Sequence, residues 1–154
     1  MNMLAVIRIR GSVKVRKEVK DTLAMLRLKR VNHCVIIPET PEYLGMLKKA
    51  KDRITWGKID KKTLAELLRK RGKLIGNKKL DEKTLKDITG FESFEEFSDA
   101  LIKGKVKLKD YKKIKPVFRL NPPRHGFKSI RLNYPKGDLG NRGEKINELL
   151  GRMI

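Results

Sequence analysis

Hydrophobic and polar positions change their period several times along the first 60 residues. Residues 4–11 alternate, which places Ala5 and Ile7 on one face of a predicted strand and Arg8 and Arg10 on the other. The same reasoning predicts, in order, strand 4–11, helix 15–28, strand 32–38, helix 40–54 and strand 55–60. This β-α-β-α-β order indicates an α+β fold with both helices on one face of a small sheet. We expect the opposite face to carry the two arginines.

A repeat follows this unit. The stretches KIDKKTLAEL (58–67) and KLDEKTLKDI (79–88) share one pattern, in which Asp60 and Asp81 are suited to begin helices as N-caps. Ser93, with Glu96 three residues later, predicts a third helix that ends at Gly104. Residues 60–104 are therefore expected to form a helical insert.

The last third of the chain combines short strands with a rigid loop. Strands are predicted at 117–120 and 129–134, joined by NPPRHGFK (121–128). A final helix, capped by Asn141, is expected to bury four apolar residues: Ile146, Leu149, Leu150 and Met153.

Charge divides the chain into the same three segments. The net charge of +21 comes from 39 Lys and Arg against 18 Asp and Glu. Residues 1–59 carry +9, residues 60–104 only +2 and residues 105–154 +10. Two basic segments on either side of a nearly neutral one indicate an anionic partner, of which nucleic acid is the strongest candidate. The alternative, an anionic membrane surface, requires a basic amphipathic helix with exposed bulky apolar residues, and the sequence offers none.

Catalytic chemistry finds no support in the sequence. His33 and Cys34 are neighbours on a predicted strand, so their side chains point to opposite faces and cannot form a dyad. One cysteine and two distant histidines give no metal-ligand spacing, and no phosphate-binding glycine loop is present. We expect a non-enzyme that needs no cofactor and no small-molecule substrate. The single cysteine and the short N-terminal apolar run predict a soluble intracellular protein.

Three groups of residues are candidates for RNA contact. Clusters at the start and end of the first helix suit phosphate binding, and the proline-stiffened loop 121–128 suits an irregular RNA surface better than a regular major groove. The candidates are Arg8, Arg10, Lys14, Arg16, Lys17, Arg27, Lys29, Arg30, Asn32, His33, Arg119, Arg124, His125, Gly126, Phe127, Lys128, Arg131 and Arg142. For the lysines and arginines the alternative is solubility. For Phe127 it is a place in the core rather than stacking on a base.

Two stretches carry a family resemblance. LRLKRVNHCVIIPETPEYLGMLKKAKD (26–52) resembles the L-thirty family of large-subunit ribosomal proteins. RLNPPRHGFKSIRLNYPKGDLGNRGEKINELLGRMI (119–154) resembles the long archaeal form, similar to the eukaryotic seven-type protein. The resemblance implies a ferredoxin-like core with a helical insert and a C-terminal extension. It also implies a structural role on large-subunit ribosomal RNA, with ribosomal proteins as neighbours, in the cytoplasmic ribosome. A free RNA- or DNA-binding module is the alternative function.

Overall fold

Five strands form the mixed sheet at the centre of the computed structural model, which describes residues 3–11 and 13–154. The strands are β1 (Met3–Arg8), β2 (His33–Pro38), β3 (Ile54–Lys58), β4 (Val117–Arg119) and β5 (Gly140–Asn141). Their order is β4-β2-β1-β3-β5, and only the β3–β5 pair is parallel. The C-terminal segment thus supplies both edge strands of the sheet that the first 60 residues begin.

Two helices cover one face of this sheet, as predicted, but they pack on the face of Val6 and not on that of Ala5 and Ile7. They are α1 (Lys17–Met25) and α2 (Pro41–Lys49). Leu23 of α1 and Leu47 of α2 pack with Val6 of β1 in one buried cluster. Thr40 begins α2 as its N-cap, since its side-chain oxygen accepts a hydrogen bond from the Tyr43 amide at 3.3 Å. The α+β class and the β-α-β-α-β core are confirmed.

The opposite face is also covered, and the expectation that it carries Arg8 and Arg10 is wrong, because strand alternation places Arg8 on the face of Val6. It is packed by the helical insert and the C-terminal helix: α3 (Lys61–Arg71), α4 (Glu82–Thr89), α5 (Phe94–Ile102) and α6 (Ile146–Met153). Ala5 and Ile7 lie in this second, larger cluster together with Phe118 of β4. The sheet is therefore the middle layer of three.

The insert helices begin where the sequence predicts. Asp60, Asp81 and Ser93 each accept a hydrogen bond from the amide three residues ahead, at 2.7, 2.8 and 3.2 Å. Each side chain satisfies one of the otherwise unpaired amides of a first helical turn. Among the described residues, no helix combines the length and apolar character needed to cross a membrane.

Two predictions about the C-terminal segment are wrong. Residues 129–134 form bends and an isolated bridge between Asn133 and Leu139 rather than a strand, and the Asp138 carboxylate accepts from the Ser129 amide at 3.0 Å. Asn141 does not cap the last helix, because a 3-10 turn (Gly143–Lys145) precedes α6. The predicted apolar face of that helix is confirmed, since all four of its residues are fully buried.

Gly57 explains how α6 comes so close to the sheet. A Cβ atom at this position would lie 2.0 Å from the carbonyl oxygen of Gly143 and 2.9 Å from the Cβ of Ile146. The absence of a side chain therefore lets the 3-10 turn rest directly on β3.

Candidate nucleic-acid interface

The turn that connects α1 to β2 holds the best defined cluster of predicted site residues. Arg27 follows the helix in the left-handed conformation, with φ of 64°. The amide of Leu28 donates to the Leu23 carbonyl at 2.9 Å, and that of Arg27 to the Ala24 carbonyl at 3.0 Å. These two bonds define a Schellman motif, in which glycine normally occupies the position of Arg27. An arginine there is held with its side chain exposed, at a conformational cost that glycine would avoid.

Arg8 is a structural residue, which corrects its predicted exposure. Only 3% of it is accessible. Its Nη1 donates to the Leu28 carbonyl at 2.8 Å and its Nε to the Arg10 carbonyl at 2.9 Å. Burial, followed by the nearby Arg53 charge, lowers the pKa of Arg8. The buried guanidinium therefore joins the end of β1 to the turn that presents Arg27, Lys29 and Arg30, all three of which are exposed.

His33 brings the two basic segments of the chain together. It pairs directly with Arg119 across the β2–β4 ladder, so a residue of the first segment faces one of the last. Partial burial lowers the pKa of His33, and the positive charges of Arg119, Arg30 and Arg8 lower it further. The imidazole is therefore neutral at pH 7, within a region of positive potential.

The strand register gathers these cations at one end of the sheet. β1 and β4 end there, and β2 and β3 begin there. We call this the cationic end; its members are Arg8, Arg10, Arg30, His33, Arg53 and Arg119. Arg53 joins it because its carbonyl accepts from the Arg10 amide at 3.2 Å. Arg53 was not among the residues predicted from the sequence. The available signal was its position directly before β3, the strand that pairs antiparallel with β1.

The residues before α1 extend this surface. Lys14, Arg16 and Lys17 are exposed, and Lys14 has a left-handed backbone with φ of 56°. Arg16 occupies the N-cap position of α1 without a side-chain hydrogen bond to the first turn. The helix therefore presents amide donors next to three cations, an arrangement that attracts anions.

The loop 121–128 is preformed against the C-terminal helix. The Arg124 amide donates to the Arg152 carbonyl at 3.0 Å. In the other direction, Arg152 Nη1 donates to the carbonyls of Arg124 and Gly126, each at 3.3 Å. His125 and Gly126 are both left-handed, with φ of 67° and 70°. Arg124, His125 and Lys128 are exposed on the resulting turn. Arg131, in the turns that follow, is exposed as well.

Two other predicted residues differ in their surroundings. Phe127 is partly buried against the larger core cluster, in agreement with the core alternative, and borders a surface pocket of about 530 Å³. Arg142 is 9% exposed, so it does not offer its charge to a partner in this conformation. Its Nη2 lies 3.4 Å from the Asp138 carboxylate, and its guanidinium stacks 5.1 Å from the Tyr134 ring centre.

Cys34 has the structural role expected of it. It is fully buried in β2, which lies between β1 and β4 in the sheet, and burial raises the pKa of its thiol to about 12. A thiol with this pKa is not a nucleophile at neutral pH.

The fold and this surface define a small α+β protein with a strongly cationic face built from both ends of its sequence. Residues 4–54 match the family model for ribosomal protein L30p/L7e. The chain is 53% identical over 151 residues to the large ribosomal subunit protein uL30 of Archaeoglobus fulgidus. The aligned region covers 98% of this chain and 99% of that protein. The uL30 proteins of Methanocorpusculum labreanum and Methanobrevibacter smithii are 51% and 50% identical, again over 98% or more of both chains. The chain belongs to the L30p/L7e family of ribosomal proteins, which confirms the resemblance seen in the sequence.

Proposed function

We propose that this protein is a structural component of the large ribosomal subunit, where it binds folded ribosomal RNA. The observation that carries the proposal is the cationic end of the sheet, where basic segments far apart in sequence meet across the His33–Arg119 pair. Relatives of nearly equal length, about half identical to this chain, are large-subunit proteins.

Electrostatics gives the binding its main driving force. The exposed members of the interface contact phosphates: Lys14, Arg16, Lys17, Arg27, Lys29, Arg30, Arg119, Arg124, Lys128 and Arg131. Release of counterions from the neutralised phosphates drives association and makes it sensitive to salt. The preformed turns hold these cations in place before binding, which lowers the entropic cost of ordering them.

The role is non-catalytic and cytoplasmic in this proposal. Among the described residues, no three or more His, Cys, Asp or Glu side chains form a group that could hold a metal ion. The members of the cationic end are five arginines and one histidine, a composition suited to holding a polyanion in place, and exposed Asp52 adjoins Arg53 there.

Co-sedimentation tests the proposal. Large subunits from Archaeoglobus fulgidus, washed free of their own copy, are mixed with this protein and pelleted through high-salt buffer. We expect the protein to remain with the particle, and Arg30→Gln/Arg119→Gln to reduce its retention. The matched control, Lys83→Gln/Lys86→Gln, removes two exposed cations from α4 and leaves retention unchanged. Wild-type protein that washes off would favour a free nucleic-acid-binding module instead.

A further inference from the structure

A second cationic surface lies within the insert, whose net charge is nearly zero. Between Glu66 and Asp81 the chain has no acidic residue. The same interval holds six cations: Arg69, Lys70, Arg71, Lys73, Lys78 and Lys79. The acidic residues of the insert lie outside this interval, so the total conceals a local concentration of positive charge.

The second half of this interval is a hairpin. The Leu74 amide donates to the Lys78 carbonyl at 2.7 Å, and the Leu80 amide to the Gly72 carbonyl at 3.1 Å. Gly76 and Asn77, with φ of 92° and 65°, supply the left-handed positions of the connecting turn. A third segment pairs alongside, since the Lys115 amide donates to the Lys73 carbonyl at 2.8 Å. We call residues 72–80 and 113–115 together the basic ribbon.

The register of the basic ribbon separates its two faces. Leu74 pairs with Ile114, and Lys73 pairs with Lys79, so Lys73 also lies opposite Lys115. Residues directly opposite one another project to the same face. Ile114 and Leu80 are fully or almost fully buried in the core, which directs the lysines outward. The outward face carries Lys73, Ile75, Lys79, Lys113 and Lys115.

Three lysines side by side repel one another. Adjacent strands lie about 5 Å apart, and like charges directly opposite are unfavourable. In the described part of the chain, ion pairs within 4.0 Å involve Arg69, Lys70, Lys103 and Arg142, and none of the outward lysines. An external polyanion would relieve this repulsion, as phosphates do when they replace released counterions.

Ile75 indicates which kind of polyanion fits. It occupies the tip of the hairpin, is 65% exposed and lies opposite Lys113, whose carbonyl accepts from the Ile75 amide at 2.9 Å. A membrane surface would require a larger apolar area. The wide, shallow minor groove of an RNA helix offers ribose and base edges between two lines of phosphates.

We propose that the basic ribbon is a second RNA-binding element, in which the lysines contact phosphates and Ile75 packs against ribose in a minor groove. The identity of the RNA as large-subunit ribosomal RNA rests on the proposed function. The insert then has a defined role, as an RNA contact separate from the cationic end of the sheet.

Salt dependence of binding tests the lysines. The probe is large-subunit RNA purified from Archaeoglobus fulgidus. Replacing Lys73, Lys79, Lys113 and Lys115 by Gln should reduce the slope of log affinity against log salt by about 3, on the basis of 0.7–0.9 per phosphate. The control replaces Lys61, Lys62, Lys83 and Lys86 of α3 and α4 by Gln and should change the slope by less than about 1. Equal slopes for the two variants would overturn the inference.

Failure of this inference differs from failure of the proposed function. If the wild type binds the RNA and loses affinity on Arg30→Gln/Arg119→Gln, but the ribbon variant matches the control, only the ribbon is wrong. If the wild type does not bind this RNA, both proposals are wrong. Thermal unfolding of the ribbon variant should differ little from the wild type, because the changed side chains lie on the outward face and the bond that is lost, from Lys115 Nζ to Asn77 Oδ1, is solvent-exposed.

Directed cleavage tests the location. Cys34 is buried and unreactive, so Lys78→Cys gives the chain one exposed thiol for an iron chelate that cuts nearby ribose. We expect cuts in one discrete RNA segment from position 78 and only background from Lys86→Cys on α4. Background alone from position 78, or the same cuts from both positions, would contradict the proposal.

Discussion

Arg27→Gly should raise the stability of the protein and weaken its binding to RNA. Arg27 occupies the glycine position of a Schellman motif with φ of 64°, and its side chain is exposed. Left-handed backbone costs a non-glycine residue about 1–2 kcal/mol. Glycine gains additional freedom in the unfolded chain, worth about 0.4–1 kcal/mol, which offsets part of the benefit. We therefore expect a net gain of about 0.5–1 kcal/mol in the free energy of unfolding.

The loss in binding follows from one phosphate contact. Removing it should reduce the salt slope by about 1, which corresponds to roughly a tenfold weaker affinity at 0.1 M salt. Arg27→Ala is the matched control, because it removes the same charge but keeps the strained backbone. It should bind as weakly as the glycine variant without the gain in stability.

Two assays separate the effects. Thermal unfolding should show a rise of about 1–4 °C for Arg27→Gly, since 1 kcal/mol corresponds to about 2–4 °C in a chain of this size. Filter binding to large-subunit RNA at several salt concentrations gives the slope. A glycine variant with wild-type affinity would refute Arg27 as a contact, and one with a lower melting temperature would refute the helix-end argument.

Three further predictions concern the scaffold and its pH dependence. Gly57→Ala should lower the free energy of unfolding by about 3 kcal/mol, because its Cβ would overlap the Gly143 carbonyl. Gly45→Ala should raise it by up to about 1 kcal/mol, because a Cβ at that helical position has nothing within 4 Å. Denaturant titration measures both changes. Arg8→Met should lower the melting temperature by about 5–10 °C, since the buried Leu28 carbonyl and the partly buried Arg10 carbonyl lose their donor. An unchanged melting temperature would contradict the structural role of Arg8. Because the pKa of His33 is lowered in the folded state, its contribution to stability is complete above about pH 6.5 and declines as the pH falls below that value. Over the same pH range, RNA affinity should increase as the imidazole becomes charged. His33→Gln should flatten both trends, and two pH profiles with the same sign would contradict this account.

Local patterns explain why some parts of the fold were predictable. Asp60, Asp81 and Ser93 mark helix starts because a cap depends only on the residues of one turn. The buried face of α6 follows from helical spacing in the same way. The covering of both sheet faces depends on segments distant in sequence. Residues 4–7 are a continuous apolar run, typical of a strand buried on both sides, and the two arginines that follow concealed this signal.

Other features depend on pairings that no local pattern specifies. Residues 129–134 alternate as a strand does, but their pairing is limited to an isolated bridge between Asn133 and Leu139, and the Asp138 carboxylate accepts from the Ser129 amide. The basic ribbon escapes a charge count by segment because the acids of the insert compensate for it in the total. The His33–Arg119 pair exists only once β4 has joined the sheet, so its two residues could be named from the sequence but not placed together.

The most direct test of the central claim is a cryo-electron microscopy map of a large subunit that contains this protein. Our account predicts that the guanidinium groups of Arg30 and Arg119, which belong to opposite ends of the sequence, lie within hydrogen-bonding distance of phosphates in one folded RNA segment. Guanidinium groups that face solvent, or that contact only protein, would contradict it.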